Sequence, residues 1–206
     1  MTVEAVVFDI GNVLIEWDPE GAYDRRLGRE RRERFLQEVA MFEMHLGLDR
    51  GDPFRATVYE LAERHPDWAE QIRHWHDGWL DTIPGEIAHS VRLLRSLRAK
   101  QVPVFALSNF NRDALEVTRR AYPVLDEFDQ AYISGDLRCI KPDPAIYAHL
   151  ERGSQVAPGA LLFVDDRAEN IDAAAERGWQ THLFTGPQGW AECLVDAGLL
   201  TMEEAQ

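Results

Sequence analysis

The stretch VVFDIGNVLIEWDP, Val6 to Pro19, joins a short apolar run to a carboxylate. Four apolar residues, Ala5 to Phe8, are typical of a strand that is buried on both faces. Asp9 follows at once, and Gly11 and Asn12 then predict a turn. A carboxylate directly after a buried strand needs a physical reason, and the next few positions offer no second acid beside it.

The rest of the chain predicts further strands that alternate with helices. Apolar runs that fit strands lie at Val102–Leu107, Ala131–Ser134, Leu161–Asp166 and Thr181–Phe184. Helices are expected at Ile87–Lys100, after Asp143 as N-cap with Pro144 in the first position, and at Ala168–Arg177, closed by Gly178. This alternation predicts an α/β fold, a doubly wound, Rossmann-like parallel sheet with helices on both faces.

Polar residues follow three of these predicted strands. They are Asp9, the pair Ser108–Asn109 and the pair Asp165–Asp166. Ligands of such sheets bind beyond the carboxyl ends of the strands, so these side chains are expected to share one site. Taken singly, each has a simpler explanation, because Ser, Asn and Asp also cap helices and form turns.

The segment between the first strand and the others has a different character. From Asp18 to about Asp81 the pattern is helical and charged, with no convincing strand. We therefore expect an all-helical cap, residues 16–85, inserted into a core formed by residues 1–15 and 86–206. Trp17 and Phe42 are candidates to line a substrate pocket, although packing in the protein core would explain them equally well.

Composition narrows the class of protein. The 206 residues are 45% hydrophobic and carry a formal charge of −14, which argues against nucleic acid or an anionic membrane as partner. Two cysteines without a pairing motif, no signal-peptide pattern and no apolar run near the roughly 18 residues of a spanning helix suggest a soluble, cytoplasmic protein. A monomer or a homodimer is expected.

The four polar segments, taken together and in chain order, resemble the motifs of the haloacid dehalogenase superfamily. FDIGNV is similar to the first motif, LSN to the second, the lysine of IKPDPAIY to the third and FVDDRAENI to the fourth. The chain most resembles the subfamily IA-like branch that holds sugar-phosphate phosphatases and the phosphatase domain of soluble epoxide hydrolases. The resemblance covers essentially the whole chain.

This resemblance implies an aspartate nucleophile and a Mg²⁺ site. Asp9 would attack phosphorus to form an aspartyl-phosphate. Asp9 and Asp166 would bind Mg²⁺ through their side chains and Gly11 through its backbone carbonyl. The supporting residues would be Asn12, Asp165 and Asn170.

The resemblance also implies how the phosphate is held. Lys141, one of only two lysines in the chain, would neutralise charge on Asp9 and on the phosphoryl oxygens. Ser108, through its hydroxyl, and Asn109, through its N–H, would bind those oxygens in the transition state. Lys141 is thus expected both in catalysis and in phosphate binding.

Gly11 departs from the family pattern. Most phosphatases of the superfamily carry a second aspartate at this position, which protonates the leaving group and later activates water. Either the substrate has a good leaving group, such as that of a sugar 1-phosphate, or another group supplies the proton, or the protein is impaired. Glu16, Asp18 and His45 are the candidate substitutes.

Three functions are compatible with these residues. The first is a Mg²⁺-dependent phosphomonoesterase that acts on a small phosphorylated metabolite, with a sugar phosphate as one candidate. A 2-haloacid dehalogenase would use the same nucleophile without metal, but that branch usually has tyrosine at position 11 and serine and asparagine at positions 165 and 166. The missing acid also allows a non-catalytic module that binds a phosphometabolite.

Overall fold

A parallel sheet of five strands forms the centre of the computed structural model, which describes residues 2–206. Met1, part of the predicted core range, lies outside the described residues. The strands are β1 (Ala5–Phe8), β2 (Val104–Ser108), β3 (Gln130–Ile133), β4 (Leu161–Asp165) and β5 (Gln180–Leu183). Their order is β3-β2-β1-β4-β5, and every neighbouring pair is parallel. The predicted parallel α/β sheet is confirmed.

Helices fill the intervals between the strands. They are α1 (Pro19–Leu27), α2 (Arg29–Glu38), α3 (Met41–Asp49), α4 (Phe54–Arg64), α5 (Ala69–Asp77), α6 (Ala88–Ala99), α7 (Arg112–Ala121), α8 (Ser134–Leu137), α9 (Pro144–Ser154), α10 (Ala168–Glu176) and α11 (Pro187–Asp196). Short 3₁₀ turns lie at Pro66–Trp68, Trp79–Thr82, Pro123–Asp126 and Pro158–Ala160.

The central strand shows why the sheet is covered on both faces. Successive side chains of a strand point to opposite faces. Val6 and Phe8 belong to one apolar cluster, in which Phe8 meets Trp190 of α11 edge to face at 5.6 Å between ring centroids. Ala5 and Val7 belong to a second cluster, which includes Tyr147 of α9. All four strand residues are therefore buried, as the apolar run predicted.

The predicted boundaries differ from the observed ones by one or two residues. Strand β2 begins at Val104 and not at Val102, and it includes Ser108. Pro103 has no N–H to donate to a ladder, so regular pairing starts after it, with Val104 opposite Val6. The predicted start of α9 is confirmed, because the Asp143 carboxylate accepts a hydrogen bond from the N–H of Ala145 at 2.8 Å.

The segment between β1 and α6 is helical, and no described strand falls between Pro19 and Thr82. The two connections that join it to the sheet lie side by side. The N–H of Glu16 donates to the carbonyl of Gly85 at 2.9 Å, and the N–H of Asp18 donates to that of Thr82 at 2.8 Å. The helical insertion is thus observed, while its division from the core at residues 15 and 86 stays a prediction.

Across residues 2–206, none of the helices combines the length and the apolar character that crossing a membrane requires.

Candidate active site

Asp9 lies where β1 ends, at the carboxyl edge of the sheet. Its N–H donates to the carbonyl of Val164 on the neighbouring strand at 2.9 Å, which extends the sheet pairing to this residue. Its Oδ1 accepts a hydrogen bond from the N–H of Ile10 at 2.7 Å. Only 8% of Asp9 is exposed. The buried strand ends on a carboxylate because it delivers that group to the crevice at the edge of the sheet.

Lys141 is the cation that faces this carboxylate. Its Nζ lies 2.8 Å from Asp9 Oδ1 and 2.6 Å from Asp165 Oδ2. The amide of Asn109 positions the lysine from the neighbouring loop: its Oδ1 accepts from the N–H of Lys141 at 2.7 Å, and its Nδ2 donates to the lysine carbonyl at 3.0 Å. The side chain of Asn109 thus holds Lys141, and the predicted contact of its N–H with phosphate stays a prediction.

Asp165, the last residue of β4, is completely buried and fully hydrogen-bonded. Its carboxylate accepts from Lys141, from the N–H of Arg167 at 2.8 Å and from Asn170 Nδ2, which lies 2.9 and 3.0 Å from the two oxygens. The predicted supporting residues Asp165 and Asn170 therefore lie together. The contact with Asp165 fixes the position of the Lys141 ammonium.

Asp166 completes an acidic cluster at this edge. Carboxylate oxygens of Asp9, Asp165 and Asp166 all lie within 4.8 Å of one another. Asn12 Nδ2 donates to Asp166 Oδ2 at 3.1 Å, and Asn12 Oδ1 accepts from the N–H of Trp17 at 3.0 Å. Asn12 thus connects the loop after β1 to the acid after β4, and its supporting role stays a prediction.

The charges of this cluster are unbalanced. Three carboxylates face one buried ammonium, and burial raises the pKa of Asp9 to about 6 although Lys141 lowers it. Burial also raises the pKa of Asp166 above its usual range. Burial alone would lower the pKa of Lys141, but Asp9 and Asp165 raise it, so the lysine stays charged. The carboxylates of the cluster outnumber its one cation, so a second cation would be stabilised there.

Ser108 and Gly11 have different surroundings. Ser108 is 2% exposed and hydrogen-bonds to the Asp9 carboxylate. The cap of α7 is Asn111, whose Oδ1 accepts from the N–H groups of Asp113 and Ala114, so Ser108 is not the helix cap. At Gly11, a Cβ atom would meet no other described atom within 4 Å. Packing does not require glycine at position 11.

A cavity of about 390 Å³ opens above the acidic cluster, a size that suits a small ligand. Its floor contains Asp9, Gly11, Asn12, Ser108, Lys141 and Asp166. Its upper wall contains Trp17, Phe42, His45, Leu46, Asp49 and Trp79. Trp17 and Phe42 line this cavity. From the sequence, packing in the core would have explained these two residues equally well. Its upper wall is mostly aromatic and apolar.

Two of the three candidate proton donors lie outside the described lining of the cavity. Glu16 is exposed, and the Asp18 carboxylate accepts from the N–H of Gly21 at the start of α1. Neither belongs to the described lining of the cavity. The third, His45, does line it and stacks on Trp17 at 5.1 Å between ring centroids. Burial lowers the pKa of His45 to about 4, so its imidazole is neutral and holds no acidic proton near neutral pH.

Asp49 is a carboxylate of the cavity that sequence reasoning missed. It ends α3, is 7% exposed and lines the cavity. Burial raises the pKa of Asp49 to about 7, helped by the charge of Asp9, although Lys141, Arg167 and Arg50 lower it. The one signal in the sequence was its spacing of four from His45, which places both residues on one face of a helix.

The raised pKa of Asp49 predicts how stability depends on pH. Between its ordinary value of 3.8 and about 7, the folded protein keeps a proton that the unfolded chain loses. This contribution to stability is complete below the unfolded pKa and is lost as pH rises through about 7. Asp49→Asn removes the ionisation, so its Tm relative to wild type should be higher at pH 8 than at pH 5.

Thermal unfolding followed by circular dichroism at both pH values measures this. Glu43→Gln, on the exposed face of the same helix, is the control and should change Tm little at either pH. An equal effect of Asp49→Asn at both pH values would contradict the raised pKa.

Comparison with known proteins places this geometry in a family. A family model described as a haloacid dehalogenase-like hydrolase matches residues 3–178. The D-ribitol-5-phosphate phosphatase of Bacteroides thetaiotaomicron is 27% identical over 94% of this chain and 97% of its own length. An (S)-2-haloacid dehalogenase of Pseudomonas fluorescens is 23% identical over 86% of this chain and 82% of its own.

A solved structure of a HAD-family enzyme from Bacteroides thetaiotaomicron has the same fold. Its TM-score is 0.76 with 19% identity, over 94% of this chain and 99% of that one. The order of the strands, the helical insertion and the four polar segments agree with the resemblance read from the sequence. The family model matches most of the length of this chain, and the chain therefore belongs to the haloacid dehalogenase-like hydrolases.

Proposed function

We propose that the protein is a Mg²⁺-dependent phosphomonoesterase that acts through an aspartyl-phosphate on a small phosphorylated metabolite. One observation carries the proposal: the Asp9 carboxylate lies on the floor of a cavity, 2.8 Å from Lys141 Nζ and beside two further acids. The phosphatase among the relatives makes a sugar or polyol phosphate the first substrate class to test.

Asp9 is the nucleophile of this reaction. Lys141 and the N–H of Ile10 both contact Asp9 Oδ1, which fixes the orientation of the carboxylate. A fixed nucleophile avoids the entropic cost of orientation when phosphorus approaches. Asp165 in turn holds Lys141 at 2.6 Å, so the lysine cannot swing away from the site.

Asp9 and Asp166 would hold Mg²⁺, with the backbone carbonyl of Gly11 as a further ligand. Mg²⁺ prefers carboxylate and carbonyl oxygens together with water, and the acidic cluster offers the first two. When bound, the ion would supply the positive charge that lets an anionic phosphate approach an anionic nucleophile. Asp165 is less suited as a ligand, because its oxygens already accept hydrogen bonds from Lys141, Asn170 and Arg167.

Phosphate recognition falls to Ser108, Asn109 and Lys141. The hydroxyl of Ser108, the N–H of Asn109 and the ammonium of Lys141 would hold the phosphoryl oxygens. Phosphoryl transfer depends mainly on such positioning and on charge neutralisation. The apolar upper wall of the cavity would exclude water from the reacting groups.

A panel of sugar, polyol and aryl phosphates, assayed with Mg²⁺ and with a chelator, tests the proposal. Mg²⁺-dependent release of phosphate supports it. Chloride release from a 2-haloacid in the presence of chelator would favour the dehalogenase. Binding of phosphate esters without turnover would favour the non-catalytic module.

The metal site leads to a separate prediction. Asp166→Ala removes a carboxylate ligand, so Mg²⁺ should no longer restore activity after chelation, whereas it restores the wild type fully. Mg²⁺ should also raise the Tm of the wild type but not that of the variant, because an ion stabilises the folded state only when it binds to it. Thermal unfolding across a Mg²⁺ titration measures this without any substrate.

Asp172→Ala provides the matched control, since this exposed acid of α10 is not part of the cavity. Its response to Mg²⁺ should equal that of the wild type. If Asp166→Ala binds Mg²⁺ as tightly as the control, the assignment of Asp166 as a ligand is wrong.

A further inference from the structure

The proposed reaction needs a proton donor that position 11 does not supply. The alkoxide that leaves phosphorus is a strong base unless it is protonated as it departs, and general acid catalysis is worth roughly 10²–10⁴-fold. The donor must line the cavity. The described ionisable groups that do so are Asp9, His45, Asp49, Lys141, Asp166 and Arg167.

Most of these groups are already committed. Asp9 attacks phosphorus, Asp166 is a proposed metal ligand and Lys141 is bound to Asp9 and Asp165. An arginine does not release its proton near neutral pH, and Arg167 pairs with Glu169. His45 is neutral because burial lowers its pKa to about 4. Asp49 remains.

The carboxyl group of Asp49 lacks hydrogen-bond partners in the protein. Its Oδ1 is buried and has no hydrogen-bond partner among the described residues. Its Oδ2 lies 3.8 Å from His45 Nε2, which is longer than a hydrogen bond. Buried polar atoms without a partner are rare in folded proteins, and this one belongs to a residue that lines the cavity.

The charged groups around Asp49 also favour a protonated carboxyl. Asp9 acts on it from the end of β1, Lys141 from the segment between α8 and α9, Arg167 from the loop after β4, and Arg50 from the end of its own helix. The neighbouring His45 is neutral and cannot stabilise a carboxylate by charge. Burial and the negative charge of Asp9 outweigh the three cations, so the carboxyl holds its proton up to a pH of about 7.

We propose that Asp49 is the general acid and base of this enzyme and replaces the aspartate that is missing at position 11. The inference rests on the proposed phosphatase function. In the first step, Asp9 bonds to phosphorus, the P–O bond to the leaving group breaks, and the proton of Asp49 passes to the leaving oxygen. In the second step, water attacks phosphorus and gives its proton to Asp49. The Asp9–phosphorus bond breaks, and phosphate leaves.

Asp49→Asn tests this with two substrates that differ in their leaving groups. For glycerol phosphate, whose alkoxide needs a proton, kcat/KM should fall by about 10²–10⁴-fold. For p-nitrophenyl phosphate, whose phenolate leaves unprotonated, the first turnover should stay within about 5-fold of wild type. The second step still lacks its base, so a burst of one nitrophenolate per active site and an acid-stable phosphoenzyme should accumulate.

Further variants separate this role from a structural one. Glu43→Gln, exposed on the same helix, should behave as wild type with both substrates. Asp49→Glu should restore part of the glycerol phosphate activity. In the wild type, kcat/KM for glycerol phosphate should decline above about pH 7 while the first turnover of p-nitrophenyl phosphate does not.

Three results would overturn the proposal. One is an equal loss of activity on both substrates in Asp49→Asn. Another is the absence of accumulated phosphoenzyme. The third, which needs no variant, is a wild type whose alkaline decline is the same for both substrates. A wild type that hydrolyses no phosphate ester in Mg²⁺ would instead contradict the proposed function itself.

Discussion

Turnover is expected to fall to background when Asp9 is replaced by asparagine, while the fold survives. Asparagine keeps the shape of the side chain but cannot bond to phosphorus, and loss of a nucleophile costs on the order of 10⁴-fold or more in kcat. The fold should persist because Lys141 keeps its contact with Asp165 at 2.6 Å, and one of three clustered carboxylates is removed. Phosphate release, acid-quenched phosphoenzyme and thermal unfolding measure the three parts of this expectation.

Glu16→Gln is the matched control for Asp9→Asn. This carboxylate lies a few residues further along the same segment, is exposed and is not part of the cavity lining. Its removal should leave turnover near the wild-type rate. A folded Asp9→Asn protein with near-normal turnover would refute the assignment of Asp9 as the nucleophile.

The second large effect is expected from Lys141→Met, which should abolish turnover and also destabilise the protein. The lysine side chain is 1% exposed and lies between Asp9 and Asp165. Its removal leaves two buried carboxylates without their cation, and breaking a buried pair in this way costs about 3–5 kcal/mol. The loss should be larger at pH 8 than at pH 5, because protonation relieves the repulsion at low pH. Denaturant unfolding at both pH values measures it.

The only other lysine provides the comparison. Lys100 pairs with Glu204 at 3.0 Å, and both side chains are more than a third exposed. An exposed pair contributes about 0–1 kcal/mol, so Lys100→Met should change the free energy of unfolding little and leave turnover intact. If both methionine variants were equally stable, the buried triad would not contribute as argued.

The parallel sheet could be predicted because its signals are local. Strands β1, β2 and β4 are short apolar runs that are buried along their whole length, so each could be recognised from its own residues. The exact bounds of β2 and β3 were not predicted. Pro103 delays β2 to Val104, and Ser134 begins α8 where the sequence predicted the end of a strand.

The floor of the cavity was also predictable, for a geometric reason. The carboxyl ends of parallel strands meet at one edge of a sheet, so residues after different strands come together whatever their separation in the chain. Asp9, Ser108 and Asp166 lie on this floor as expected, together with Lys141, and the buried Asp165 contacts Lys141 from below. Their roles in the reaction remain predictions.

The sequence alone therefore determined the fold class and the set of polar groups at the edge of the sheet. The tertiary structure decided which groups of the helical insertion face them. Of the three candidate proton donors, Glu16 and Asp18 are nearest to Asp9 in the sequence. The acid of the helical insertion that lines the cavity is nevertheless Asp49, at the end of α3. Helix packing is set by apolar contacts between distant segments, and the pKa of a carboxyl is set by its burial. Neither quantity is local, and for that reason only the folded chain places Asp49 in the cavity that Asp9 also lines, with a pKa raised to about 7.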